Sequence, residues 1–169
     1  ALLYPAIGLV QRDRAEDAGL ALAINRDHEP LRLEAKPSFA NLLVWKIVYE
    51  TEHHFYVDAV RVGFTPRHYP GERVEKLDLA RDLPCLNPES QQARDIERFR
   101  WFSNDYLAVE PGNPYRITDI RYSMVPNEIR GLWSIELDPA AAPDKHVGYV
   151  VQRRADERAM GAFQSMLFR

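Results

Sequence analysis

Leu42-Leu43-Val44-Trp45-Lys46-Ile47-Val48-Tyr49-Glu50 constrains the fold of this chain more than any other stretch. Its composition reads as a β-strand. Successive strand side chains point to opposite sides, so Leu43, Trp45, Ile47 and Tyr49 share one face. Leu42, Val44 and Val48 take the other, with Lys46 among them. A strand apolar on both faces needs cover on both. Glu50 to His54 is a polar turn, and Phe55 to Phe64 returns as a second strand with Tyr56, Asp58, Val60 and Val62 on one face. The two read as an antiparallel hairpin.

Other elements arrange themselves around that hairpin. Gln11 to His28 has helical spacing, with Ala15, Ala18 and Leu22 recurring every three or four residues, and Pro30 ends it. Leu31 to Ala35 looks extended, and Pro37 to Asn41 is a turn. Pro66, Pro70 and Gly71 mark Thr65 to Gly71 as a loop. Glu72 to Leu83 reads either as a short strand with a loop or as an irregular helix. Pro88 to Tyr106 is a helix, with Asn87 as N-cap, Pro88 at the first position and an apolar stripe of Ala93, Ile96, Phe99, Phe102 and Tyr106. Trp101 lies off the stripe. Strands follow at Leu107–Glu110, Tyr115–Met124, Leu132–Leu137 and Lys145–Gln152, then a terminal helix over Asp156–Phe168 with Met160, Phe163 and Leu167 on one side.

Short turns between strands predict an antiparallel sheet, and grouped helices predict α+β rather than a parallel fold. The expectation is a single α+β domain over residues 11–169. It has one mainly antiparallel sheet and three helices, at about 11–28, 88–106 and 156–168. The Ile96–Phe99–Phe102 stripe is expected to pack on that sheet. At 169 residues and 46% apolar content the chain can build one real core. Lys+Arg 22 against Asp+Glu 25 gives no basic excess, which argues against nucleic acid. A lone cysteine, Cys85, excludes an internal disulfide and a cysteine-rich zinc site.

Ala1 to Val10 carries no charge, and Gln11-Arg12-Asp13-Arg14 follows abruptly. This reverses the order of a secretory signal. Two readings stand: the first turns of an amphipathic helix, or a membrane-proximal helix start, with Tyr4, Arg12 and Arg14 at the boundary. The arginines favour the cytoplasmic side, although Asp13, Glu16 and Asp17 are interleaved.

Catalytic signals are sparse. His28, His53, His54, His68 and His146 lack the spacing of a zinc-protease helix, and adjacent strand residues such as His53 and His54 point apart. Ser90, Ser103 and Ser123 lack a glycine-flanked elbow, and the glycines form no phosphate-cradling loop. No catalytic or metal-binding residue is assigned. The polar cluster is Asp119-Ile120-Arg121-Tyr122. Asp119 and Arg121 share a strand face, and the helix offers Arg94, Asp95, Glu97 and Arg98 as partners. It reads either as an ion-pair network at the helix–sheet junction or as a pocket for a small anion or a partner's carboxylate. In the network Asp119 is at least partly buried and accepts from an arginine or a backbone N–H, with Arg94 or Arg98 the expected donor, and Arg121 is long enough to close the gap to Asp119 or to reach an acid on the helix.

Four features in order carry a resemblance: Pro37–Trp45 (PSFANLLVW), Arg98–Tyr106 (RFRWFSNDY), Asp119–Tyr122 (DIRY) and Trp133. Across roughly residues 4 to 137 the chain resembles the C-terminal soluble region of the YdjM-like family of predicted membrane-bound metal-dependent hydrolases of the bacterial inner membrane. The motif positions are Asn41, Trp45, Phe99, Phe102, Ser103, Tyr122 and Trp133. The chain departs from the pattern at Lys46, where an arginine would follow the strand tryptophan. The resemblance implies that a divalent metal and its ligands belong to a membrane-embedded region carrying a His–Arg and Thr–His–Ser pattern, which this sequence lacks. No cofactor is therefore expected in this chain.

The reading that follows is an extramembrane domain, not catalytic by itself. It caps, positions or regulates a membrane-embedded site, or binds a partner. The expected partner is the membrane-embedded region of the same protein, with self-association as a further reading. The alternative is a free-standing ligand-binding or enzyme domain using Asp119 and Arg121.

Overall fold

The computed structural model describes residues 3–38, 41–152 and 157–168. Ala1, Leu2, the Phe39-Ala40 part of the expected turn, Asp156 and the side chain of Tyr4 lie outside the described residues. In chain order the elements are α1 (Leu3–Asn25), β1 (Arg32–Pro37), β2 (Val44–Glu50), β3 (His54–Val62), β4 (Pro66–Glu75), α2 (Leu79–Asp82), α3 (Gln91–Phe102), β5 (Leu107–Val109), β6 (Arg116–Asp119), β7 (Trp133–Glu136), β8 (Gly148–Val151) and α4 (Glu157–Phe168). The class is α+β, as expected, but the strands form two four-stranded antiparallel sheets, β1-β2-β3-β4 and β5-β6-β7-β8, rather than one. The described helices number four because the short α2 joins the expected three, and α1 begins at Leu3.

Every residue of β2 is buried, and the reason is layering. On one face Trp45, Ile47 and Tyr49 pack with Ala15, Ala18 and Ala23 of α1. On the other, Val48 joins Phe55 and Val57 against Tyr106, Ala108, Ile120 and Ile129 of the second sheet and its loops. The outer face of the second sheet takes α3, where Ile96 and Phe99 meet Leu107, Ile117, Ile135 and Leu137. The order is therefore helix, sheet, sheet, helix. A separate cluster places Met166 of α4 against Val44, Ala59 and Val125.

Several boundaries differ from the sequence reading, each for a local reason. The expected loop Thr65–Gly71 is mostly strand. β4 is a sheet edge, where a proline's missing N–H costs little. A register shift between Val57 and Ala59 takes up the kink at Pro70-Gly71, and the Gly71 N–H donates to Asp58 Oδ1 at 3.0 Å. A Cβ at Gly71 would run into the carbonyls of Val57 and Asn127. The N-cap of α3 is Ser90, whose hydroxyl accepts from Ala93 N at 3.2 Å. Asn87 instead closes the preceding turn, accepting from Glu89 N at 2.9 Å. Asn104 and Asp105 adopt left-handed φ values of 52° and 61°, which stops α3 at Phe102 and sends Tyr106 into the inter-sheet layer. Phe102 is half exposed, so the packed stripe is Ala93, Ile96 and Phe99. The strand expected over Tyr115–Met124 ends at Asp119, and Lys145–Gln152 shortens to β8. On α4 Met166 is buried, while Met160 is exposed.

Gly19 of α1 faces Ile47, and a Cβ there would lie 2.6 Å from Ile47 Cγ2. Gly161 of α4 has open space around its Cβ position. A helical Gly→Ala change ordinarily stabilises by about 1 kcal/mol. Gly161→Ala should follow that rule. Gly19→Ala should instead cost about 1–3 kcal/mol by overpacking a branched, fully buried side chain. Urea unfolding of the two variants reads the opposite signs, and stabilisation by Gly19→Ala would contradict the close docking of α1.

Candidate functional site

Asp119 ends β6 and is fully buried. Its Oδ1 accepts from Arg121 N at 3.0 Å and from Arg121 Nε at 3.0 Å, and its Oδ2 accepts from Arg121 Nη2 at 2.7 Å. The carboxylate thus captures a backbone N–H two residues on and turns the chain, ending the strand. The same Nη2 donates to Phe102 O at 2.9 Å, satisfying a terminal carbonyl of α3. Burial works against the Arg121 charge, but the bonds to Asp119 outweigh it and raise the guanidinium pKa.

Aromatic rings enclose this joint. The Arg121 guanidinium lies 5.7 Å from the ring centroids of both Phe102 and Tyr122. Trp133 meets Tyr122 edge-on at 5.5 Å and Phe102 edge-on at 6.3 Å. Ser103 is buried as the C-cap of α3. Four motif residues, Phe102, Ser103, Tyr122 and Trp133, therefore gather around Asp119 and Arg121. Phe99 faces the core beneath α3. Asn41 and Trp45 lie elsewhere: Asn41 Oδ1 accepts from Leu43 N and Val44 N, and Trp45 packs toward α1.

The helix residues expected to reach Asp119 do not. Arg94 bonds Glu89 O at 2.7 Å and Gln91. Asp95 accepts from the Val147 N–H at 3.2 Å, pairs with His146 Nδ1 at 2.8 Å, and has Arg98 at 3.7 Å. Only the C-terminal end of α3 comes near Asp119, and Arg121 itself closes the gap. With both carboxylate oxygens bonded and no exposure, Asp119 is the keystone of a filled junction rather than the wall of an open pocket.

Sequence reasoning recorded Lys46 as a lysine on an apolar strand face but gave it no role. Its Nζ is buried between the sheets, donating to Ser123 Oγ at 2.8 Å and Glu128 O at 2.7 Å. Burial pushes its pKa down to about 7, against the opposing pull of Asp119, Glu72 and Glu128. Glu72 accepts from Ile129 N at 2.7 Å, and Asn127 Nδ2 donates to Pro70 O at 2.8 Å. Residues 123–129 are thus pinned to the first sheet from several sides.

Beside them a cleft of about 890 Å³ is lined by Glu72, Glu110, Glu128, Arg130 and Gln152, among others. Its carboxylates are engaged: Glu110 bonds Gln152 at 3.2 Å and lies 3.5 Å from Arg116. Among the described residues no group of three or more His, Cys, Asp or Glu side chains is placed to hold a metal ion. A further ion pair, on a buried Asp58, ties the residue just past α1 to the first sheet. Arg26 grips Asp58 at 2.7 and 2.9 Å and donates to Tyr49 OH at 3.1 Å, which raises the Arg26 pKa. His28 Nδ1 lies 2.9 Å from the same hydroxyl. The separation of these partners in sequence, with no periodic pattern linking them, left this network and the Asp95–His146 pair invisible to sequence reading.

Asp119→Ala leaves the partly buried Arg121 without its partner and the Arg121 N–H without its acceptor, so it should destabilise the fold by about 3–5 kcal/mol in urea unfolding. A loss within about 1 kcal/mol, as for an exposed pair, would contradict the keystone role. Lys46 tests the inter-sheet layer by pH. From its folded value of about 7 up to the ordinary 10.5, the unfolded chain holds a proton that the fold does not. Stability conferred by the neutral amine therefore grows as pH rises through this window. Relative to Lys46→Met, the wild type should gain up to about 1.4 kcal/mol per pH unit over that range. A relative loss with rising pH would show that the fold prefers the charged amine.

Comparison with protein-family models, curated proteins and solved structures returns no match.

Proposed function

We propose that this chain is the extramembrane domain of a bacterial inner-membrane protein of the YdjM-like type, a predicted metal-dependent hydrolase, and is not catalytic by itself. Its role in this reading is to cap or position a membrane-embedded site in the same protein. The observation that carries it is the helix α1. The helix runs unbroken from a charge-free stretch, where Ile7, Leu9 and Val10 are exposed, into Ala15, Ala18 and Ala23, which are buried against the sheet. A continuous helix couples whatever its apolar start rests on to the position of the whole sheet. No helix among the described residues is itself long and apolar enough to cross a membrane. In this reading the divalent metal implied by the resemblance belongs to the membrane region.

The gathering of Phe102, Ser103, Tyr122 and Trp133 supports the same reading, because motifs far apart in sequence meet at one structural joint. The alternative of a ligand pocket at Asp119 and Arg121 draws no support from the geometry, since both groups are fully engaged with each other and with Phe102 O.

The test is the complete gene and its product. Upstream coding sequence with further apolar spans, and a full-length product that stays in the membrane fraction through alkaline carbonate, are the expected results. A start codon close to Ala1 together with a product released by carbonate would overturn the reading.

A further inference from the structure

We infer that one end of this domain, built from the start of α1, the β3–β4 tip and the end of α4, is a docking surface for an anionic lipid bilayer. The inference deepens the membrane-domain reading above and rests on it for its biological setting. Three chain segments converge there. On one face of the first sheet, Gln11 Nε2 of α1 donates to Val62 O at 3.1 Å, and Arg14 Nη2 bonds Gly63 O and Phe64 O. Gly8 comes within 3.9 Å of Leu42 Cδ2, so the start of α1 lies against the β2–β3 end of the sheet, where Val62 N donates to Leu43 O at 2.7 Å. On the opposite face, Arg61 Nε donates to Leu167 O at 3.1 Å and Tyr69 OH to Met166 O at 3.4 Å. The end of α4 is thereby held at the same edge, with Phe168 beyond it.

The apolar side chains gathered there are not folded inward. Phe64 is fully exposed at the tip, Phe168 is 82% exposed, and Leu43, Ile7, Leu9 and Val10 are also open to solvent. Burying a phenylalanine side chain is strongly favourable, so leaving two at one end forgoes a stabilisation.

Charge selects the occupant. Residues 59–71 contain Arg61, Arg67 and His68 and no carboxylate. Residues 159–168 carry no charge, and residues 35–49 contain no carboxylate. The nearest acids on α1, Asp13 and Glu16, are both answered by Arg12, at 3.2 and 3.8 Å. Protruding aromatic tips flanked by arginines, with no carboxylate in the tip segments themselves and the next on α1, Asp13, paired, match the boundary between anionic headgroups and acyl chains. The arginine stems can lie along that boundary while their charges stay at headgroup level.

The experiment is co-sedimentation of the 169-residue chain with vesicles, comparing phosphatidylglycerol mixed with phosphatidylcholine against phosphatidylcholine alone. Binding should require the anionic lipid and weaken as salt rises. Phe64→Ser should reduce it about tenfold, the loss expected for one inserted phenylalanine. Trp101→Ser, on α3 in the far outer layer, should leave it unchanged. Phe64 touches no core, so circular dichroism should report both variants folded. No binding to anionic vesicles, or equal losses from both variants, would overturn the docking surface. So would dimerisation that Phe64→Ser abolishes without any vesicle binding. An integral full-length product combined with any of these results would leave the membrane-domain reading intact. Vesicle binding combined with a gene lacking upstream spans would sink that reading while sparing the surface.

Discussion

The amine of Lys46 has to be satisfied inside the layer between two sheets, and much of the architecture answers to that need. A buried amine N–H left without an acceptor is costly, whereas one that is hydrogen-bonded is tolerated. Ser123 Oγ and Glu128 O supply those acceptors from a segment that belongs to the second sheet. Once that segment is fixed, Ile129 and Val125 drop into the inter-sheet core, and Glu72 and Asn127 close bonds across to β4. β2 is then covered on its second face as fully as α1 covers the first.

That double covering is where sequence and structure agree best. The alternation through Trp45, Ile47 and Tyr49 against Val44, Lys46 and Val48 assigned each side chain to its correct face, and the hairpin with β3 followed. The Ile96–Phe99 stripe was legible for the same reason, a regular period over several turns. Features that depend on a single contact were not. Pro70 and Gly71 look like a loop until β4 is known to be an edge strand that bulges there, the two residues standing opposite the single Asp58 of β3. Nothing in Asp119-Ile120-Arg121 announces that the carboxylate will take the backbone N–H and end the strand. A strand pattern gives the same reading whether four strands extend one sheet or form a second one, so the division into two sheets stayed hidden.

The candidate site has the same history. Asp119 and Arg121 were visible as charges in an apolar setting, which correctly pointed to burial and pairing. The expected donors Arg94 and Arg98 are held by Glu89, Gln91 and Asp95, so Arg121, long enough to close the gap itself, supplies both the guanidinium and the backbone N–H. What the joint accomplishes is mechanical: it locks the end of α3, the end of β6 and the ring of Trp133 into one unit.

If the domain stands on a bilayer by the start of α1 and the β3–β4 tip, side-chain depth is the most direct measure of it. A nitroxide attached at Phe64→Cys, in a Cys85→Ser background and with anionic vesicles, should become accessible to oxygen and shielded from a water-soluble nickel complex. A nitroxide at Trp101→Cys should show the reverse. Equal exposure of both positions to the nickel complex in the presence of vesicles would contradict the orientation.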